Sequence, residues 1–290
     1  MTLLDRAPGA AAPGRPADLG ALARVLSELG PVVVAFSGGA DSAFLARMAH
    51  DVLGADRVRC VTAVSPSLAP EEEADCAALA AEWGLRWSTM ATAELDDPAY
   101  VANGPDRCAR CKTALMDVLG PLAERASATV VLGVNVDDLG DHRPGQAAAA
   151  AAGARFPLVD AGFTKADVRH WSKQMGLRTW DKPAGACLAS RLPYGTPVTL
   201  GGLGSVARAE SALRRLGLRQ LRVRHHGDVA RIEVEPADLT RVVERRAEVV
   251  AAVRAAGYQF VSLDLEGFRS GSLNRVLGAP AGGPGPRGAR

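Results

Sequence analysis

The 290-residue sequence carries 48% hydrophobic and 23% charged residues, the balance of a globular chain of one large domain or two ordinary ones. No apolar run approaches a membrane span, and the Pro/Ala/Gly-rich start has no signal-peptide core, so no membrane partner is expected and the cytoplasm is the expected location. The net charge of +2 hides an asymmetry: residues 1–180 hold 17 Lys+Arg against 22 Asp+Glu, and residues 181–290 hold 17 against 10, so the second part suits either an anionic partner or an arginine-rich solvated surface.

In chain order, residues 1–20 read as a flexible tail and Leu22 to Leu29 as a short helix. Val32 to Phe36 is a short β-branched run bounded by turn residues, which predicts a buried strand. Ser37-Gly38-Gly39-Ala40-Asp41-Ser42 follows, and Phe44, Leu45, Met48, Val52 and Leu53 then recur at helical spacing. Two glycines let backbone approach a ligand, and the first N–H groups and positive dipole end of a helix favour phosphate. Ser37 and Ser42 add hydroxyl donors. The turn is neither a Walker A loop nor Gly-x-Gly-x-x-Gly. The string resembles the PP-loop of the N-type ATP pyrophosphatases, which cleave ATP between the α and β phosphates and adenylylate an acceptor oxygen.

Arg57 to Val64 predicts a second strand, and its end at Ser65 is a candidate adenosine contact. Glu71 to Trp83 reads as a helix, Leu85 to Met90 as a third strand, and Thr129 to Val134 as another buried strand. Alternating strands and helices argue for a parallel sheet with right-handed crossovers. Of the five cysteines, Cys60 and Cys76 lie in apolar runs and read as core fillers. Cys108 and Cys111 form a Cys-x-x-Cys, which serves as half a zinc site, a redox pair or two thiols at a helix start; no second pair completes a zinc site. Asn135 to Gly145 carries Asp137, Asp138 and Asp141, carboxylates suited to Mg²⁺ held together with ATP phosphates, or to an Asp-rich turn. Asp41 and Asp137 are the candidate metal ligands, and Arg143 suits a phosphate or carboxylate. Ala147 to Ala152 predicts a helix; Thr164 and Asp167 predict the cap of the next.

Trp180 to Thr196 is an irregular loop rich in Pro and Gly. Cys187 lies in it with Lys182 and Arg191 close in sequence, and nearby cations favour a reactive thiolate over an inert small residue. With GVNVDDLGDHRPG and FPLVDAGFTKADVR, the loop WDKPAGACLASRLPYGTPV narrows the resemblance to the ATP-dependent sacrificial sulfur transferases, the LarE family. The resemblance implies an adenine nucleotide α-hydrolase-like α/β fold, a parallel sheet with helices on both faces, plus a smaller α/β C-terminal domain. It implies ATP and Mg²⁺ as cofactors and pyridinium-3,5-biscarboxylic acid mononucleotide as substrate, on the route to a nickel-pincer nucleotide. It implies that Cys187 donates its own sulfur and becomes dehydroalanine, and that the protein forms a homo-oligomer, a hexamer. The chain departs from the family pattern at His142, where a Tyr is expected, and in Ala147 to Ala152, which lacks an acidic residue.

The boundaries read from the sequence are 21–180 for the PP-loop domain, 181–270 for the sulfur-transfer domain and 271–290 for a second tail. In the second domain Leu203 to Leu216 is a helix, Gln220 to His225 and Val229 to Val234 form a hairpin, Pro236 starts a helix to Ala256, and Tyr258 to Leu265 is a last strand. Arg222 and Arg224 share one strand face and with Arg191 suit a phosphate, or else form a solvated face. The resemblance puts Glu210 near the cysteine, whereas its helix position alone reads as a surface charge. The rival enzyme reading is a PP-loop tRNA thiolase with an iron–sulfur cluster on Cys108, Cys111 and Cys187. Aromatic residues are only 4% of the chain, which disfavours a nucleic-acid partner. A non-catalytic nucleotide-binding module is the reading from outside the enzymes.

Overall fold

The computed structural model describes residues 16–140, 144–183 and 185–269. The chain divides into two compact units, 1–102 with 106–188 and 103–105 with 189–290. The sequence places the boundary at 180–181. In the structure residues 181–188 stay with the first unit, because the Lys182 ammonium donates to Gly38 O at 3.1 Å and Leu188 N–H to Ser67 O at 2.8 Å.

The first unit contains α1 (Leu19–Leu29), capped by the Asp18 carboxylate, and residues 16–20 of the expected tail are structured: Ala17 is buried and its N–H donates to Asp167. The elements β1 (Val32–Ala35), α2 (Ala40–Leu53), β2 (Val58–Val64), α3 (Pro70–Trp83) and β3 (Trp87–Ala91) alternate as the sequence predicts. Then follow α4 (Pro98–Val101), α5 (Arg107–Arg125), β4 (Thr129–Leu132), α6 (Pro144–Ala151), α7 (Pro157–Asp160) and α8 (Lys165–Gln174). The four strands are all parallel in the order β3-β2-β1-β4, with Val34 of β1 opposite Cys60 on one side and Val131 on the other.

Strand β1 is buried on both faces, which is why it reads as an unbroken run of valine. Val32 and Val34 join the core built by α1, α2, α3 and α8; Val33 faces the second core with Leu115, Met116 and Leu119 of α5 and Ala149 of α6. Helices therefore cover both faces. Each fully buried valine stabilises the sheet by roughly 1.5–3 kcal/mol. Because β1 pairs with both β2 and β4, while the chain runs from β1 to β2, the strand order reverses at β1. The crevice beyond the carboxyl ends of β1 and β4 is where open α/β sheets bind ligands.

The second unit contains α9 (Leu200–Arg215), β5 (Leu221–His226), β6 (Val229–Val234), α10 (Leu239–Glu244), α11 (Arg246–Ala255) and β7 (Phe260–Leu263). β5 and β6 form the expected hairpin across a two-residue Gly227-Asp228 turn, and β7 adds parallel to β6. The single helix expected from Pro236 to Ala256 is instead a 3₁₀ turn and two helices broken at Arg245. Asn103 belongs to this unit. Its φ of +56° is in the left-handed region, and its buried amide donates to Pro193 O and Thr196 O, each at 2.8 Å. Among the described residues no helix is long and apolar enough to cross a membrane.

Candidate active site

The turn after β1 is built for close backbone approach. Gly38 has φ +66°, and a Cβ there would lie 2.8 Å from Cys76 Sγ. Gly39 precedes α2 without a side-chain cap, which leaves the first N–H groups of that helix for a ligand. The Ser37 and Ser42 hydroxyls are 2.9 Å apart, and Ser42 Oγ donates to Gly39 O at 3.2 Å, so both seryl groups brace the loop. Gly133, at the end of β4, packs on this helix start: a Cβ there would come within 2.7 Å of Ser42 N. As the sequence predicts, Ser37, Gly38 and Gly39 form the turn after β1, and Asp41 and Ser42 stand at the start of α2.

Asp41 Oδ1 accepts from the Asn135 amide at 3.0 Å. Burial raises the Asp41 pKa; the Asn135 bond and the Lys165 charge act against it, and the Asp138 charge adds to it. Asp138 Oδ2 accepts from Asn135 N–H at 3.2 Å, whereas Asp137 Oδ2 accepts from Lys165 N–H at 2.8 Å, at the start of α8. Asp138, rather than Asp137, is thus the carboxylate whose charge Asp41 feels. Asn135 is fully buried, and its Oδ1 has no hydrogen-bond partner among the described residues. An orphan oxygen beside two carboxylates fits a divalent cation. Among the described residues no group of three or more metal-ligating side chains exists. Bound there, Mg²⁺ would neutralise the triphosphate; Asp41 and Asp138 would hold it. Arg143 and His142 lie outside the described residues.

Ser65, the expected adenosine contact, is engaged elsewhere: its hydroxyl donates to Glu94 and accepts from Ser67 N–H at 3.2 Å. Ser67 Oγ pairs with the Tyr100 hydroxyl at 2.7 Å, both groups being buried. Cys187 is exposed, and its neighbour Leu188 is tied to Ser67. Burial and then the Cys187 sulfur raise the Tyr100 phenol, and the same two causes push the Cys111 thiol up to about 12. Arg107, at the first position of α5, is 5% exposed; its Nη2 lies 3.9 Å from Cys108 Sγ. The cations near Cys187 in sequence have other duties. Lys182 binds Gly38 O, Glu72 and Asp75 at 2.6–3.1 Å, and Arg191 makes two bonds to Glu210.

In the second unit the expected arginines are buried, not a solvated face: Arg191, Arg222 and Arg224 are 2%, 7% and 6% exposed. Glu210, expected as a helix-surface charge, is fully buried. It accepts from Arg191 Nε and Nη2 at 2.8 and 2.9 Å, Arg214 Nη2 at 2.8 Å and Val223 N–H at 3.1 Å. Arg224 is held by Glu233 at 2.7 Å and by Ser190 O at 2.9 Å. Burial first, then the Arg191 charge, lowers Arg222 to about 10. Such a concentration of positive charge can receive an anion.

A family model described as NAD synthase matches residues 25–103, the segment that carries the PP-loop. An uncharacterised Synechocystis protein is 46% identical over 88% of this chain and 96% of its own length. The pyridinium-3,5-bisthiocarboxylic acid mononucleotide synthase of Lactiplantibacillus plantarum is 39% identical over 88% of this chain and 93% of its own. The chain belongs to the LarE family of PP-loop enzymes. A Methanocaldococcus jannaschii protein, also uncharacterised, is more distant at 25% over 82% of the chain and 91% of its own length.

As a LarE family member the chain is an ATP-dependent enzyme. Several groups around Cys187 and the buried arginines carry no local sequence signal. Glu94, Tyr100 and Arg107 come from the stretch that runs from the end of β3 into the start of α5, and Glu233 reaches Arg224 across the hairpin. Asn135 had a signal, a lone amide at the end of a buried strand beside Asp137 and Asp138.

Proposed function

We propose that the protein activates a carboxylate of pyridinium-3,5-biscarboxylic acid mononucleotide with ATP and then gives it the sulfur of Cys187. The observation that carries this reading is the 39% identity with the L. plantarum synthase across both units, together with an exposed Cys187 in the loop that follows α8. The substrate carboxylate attacks the α-phosphorus of ATP; pyrophosphate leaves and an acyl-adenylate forms. Ser37, the helix N–H groups after Gly39 and Asp41 orient the phosphates. Cys187 sulfur then attacks the acyl carbon, and AMP departs. A base takes the Cys187 α-proton, the Cβ–S bond breaks with its electron pair going to sulfur, and thiocarboxylate and dehydroalanine result. Arg191, Arg222 and Arg224 bind the nucleotide phosphate, and Glu210 acts on the substrate by holding Arg191. Two carboxylates need two protein molecules, and the product serves a nickel-pincer nucleotide.

An intact-mass spectrum before and after incubation with ATP, Mg²⁺ and the biscarboxylate tests the reading. The expected result is loss of one H₂S per chain, mapped to Cys187. Cys187→Ala is expected to release pyrophosphate in a substrate-dependent way and to transfer no sulfur. Repeated turnover with Cys187 intact would overturn the sacrificial step.

A further inference from the structure

We propose that Lys182 is a positioning residue for sulfur transfer: its ammonium fastens the loop that carries Cys187 to the phosphate-binding turn, so that the turn which receives ATP also sets where the sulfur stands. The inference rests on the sulfur-transfer reading above for its chemistry, but not for its first test.

The Lys182 ammonium has an acceptor for each of its N–H donors. They are Gly38 O in the turn at 3.1 Å, and Glu72 Oε2 and Asp75 Oδ2 of α3 at 3.0 and 2.6 Å. Glu72 and Asp75 are three apart in their helix, so they share one face of it. Asp75 is braced through its other oxygen by Arg178 at 2.7 Å. Burial acts against the Lys182 charge, but the Asp75 bond and the Glu72 charge lead the effects that more than reverse this and hold the ammonium above its ordinary value. Gly38 is gripped by the same two elements, since a Cβ there would lie 2.8 Å from Cys76 Sγ of α3 and 3.7 Å from Lys182 Nζ. A surface ion pair explains the carboxylates but not the bond to a backbone carbonyl of the phosphate turn.

The loop is fastened at its far end as well. Leu188 N–H donates to Ser67 O at 2.8 Å, and the Ser67 hydroxyl pairs with that of Tyr100 at 2.7 Å. Between the two ties Gly185 lies along α3, with Glu72 Oε1 3.5 Å from where a Cβ would be. Gly38 follows β1 and Ser67 follows β2, and these strands are neighbours in the sheet. Cys187 is therefore bracketed by ties to the carboxyl ends of adjacent strands, and at most about 18 Å of extended chain separates it from Lys182. Transfer needs the sulfur within reach of an acyl carbon that is activated where ATP is bound. A loop already fixed to that turn has less freedom to lose at this step than a free one.

The first test needs no substrate. Hydrogen exchange of the full-length protein is read on the peptides over 34–45 and 180–190, with and without Mg²⁺ and a non-hydrolysable ATP analogue. In the wild type the analogue is expected to slow exchange in both, because a ligand that holds the turn also holds what is tied to it. In Lys182→Gln the 180–190 peptide is expected to exchange faster by on the order of tenfold and to ignore the analogue, while 34–45 still responds. Lys182→Arg, which can donate to the same acceptors, is expected to keep at least half of the response. A 180–190 peptide that behaves in Lys182→Gln as in the wild type overturns the proposal. Loss of the analogue's effect on 34–45 also overturns it, by making Lys182 a ligand of the nucleotide instead. Should Lys182→Gln unfold, the wild type decides: a 180–190 peptide indifferent to the analogue overturns the proposal. In single turnover with the biscarboxylate, Lys182→Gln is expected to slow loss of H₂S about tenfold more than release of pyrophosphate, and equal slowing of the two overturns the positioning role. Failure of H₂S loss in the wild type with the exchange effects intact would instead count against the transfer reading alone.

Discussion

At Glu210 a fully buried carboxylate accepts hydrogen bonds from two guanidinium groups and a backbone N–H. Burial pushes its pKa up; the charges of Arg191, Arg214 and Arg222 and the Arg191 bond more than reverse this, and the net shift is downward. A carboxyl lowered in the folded state contributes stability above its unfolded value, 4.5, and loses it as the pH falls through the folded value. The second unit should therefore weaken from about pH 4.5 downward. Glu210→Gln should flatten that acid limb and, by leaving Arg191 buried without its ion, cost about 3–5 kcal/mol at pH 7. Urea titrations at pH 7 and pH 4 check both; equal acid sensitivity in the variant would reject Glu210 as the titrating group. In the first unit, Asp41→Asn and Ser37→Ala are expected to lower substrate-dependent pyrophosphate release by about a hundredfold or more, as for removal of a preorganised charge or donor. Wild-type release in both would remove them from the phosphate site. The sequence alone names Asp41, Ser37 and Cys187, because a local pattern surrounds each. It cannot name the partner of Arg191, because Glu210 is 19 residues away along the chain.

Strand, turn and helix from Val32 to Leu53 are legible because each level agrees: a β-branched run, two glycines, then apolar residues at helical spacing. The capping box at the start of α8 is legible for the same reason, and Thr164 and Asp167 make both of its bonds. Helix α5 is legible only at its start, where two thiols at a helix start is one of the readings of the Cys-x-x-Cys; its length is not, because it runs through Pro121. Nor is the break between α10 and α11, where Arg245 leaves the helix and donates to Leu216 O at 2.7 Å, a contact set by packing. Gly133 has a consequence at this scale. It lets the end of β4 lie against the α2 N-terminus, and a methyl group there would meet backbone, which cannot rotate away. Gly133→Ala should displace the start of α2, destabilise the first unit by about 1–3 kcal/mol and weaken ATP binding. Calorimetry with a non-hydrolysable ATP analogue measures both. Unchanged affinity would mean that the phosphate turn is not fixed by this contact.

Across the whole molecule the charge asymmetry has a different meaning once the side chains are in place. Residues 181–290 carry the surplus of seven positive charges that on composition alone suits nucleic acid as well as a phosphorylated small molecule. Yet the described arginines of the second unit are largely turned to internal acceptors. Arg191 and Arg214 meet Glu210, Arg224 and Arg231 meet Glu233, and Arg245 meets Glu248. Guanidinium groups committed in this way release few counterions from a polyanion, whereas tRNA binding through many phosphates would fall steeply with salt. A single phosphate needs only the short Arg191–Arg222–Arg224 cluster. Fluorescence anisotropy with labelled tRNA at about 50 and 200 mM salt separates the two modes, since a polyanion contact loses about 10³–10⁵ in affinity over that range. The expected outcome is weak binding at the lower salt and none at the higher. Arg222→Ala with Arg224→Ala should raise the KM for the mononucleotide about tenfold or more and leave ATP binding unchanged. Submicromolar tRNA affinity at 200 mM salt, abolished by the same two substitutions, would move the arginines from a nucleotide phosphate to an RNA backbone and the enzyme to the tRNA-thiolating branch of its superfamily.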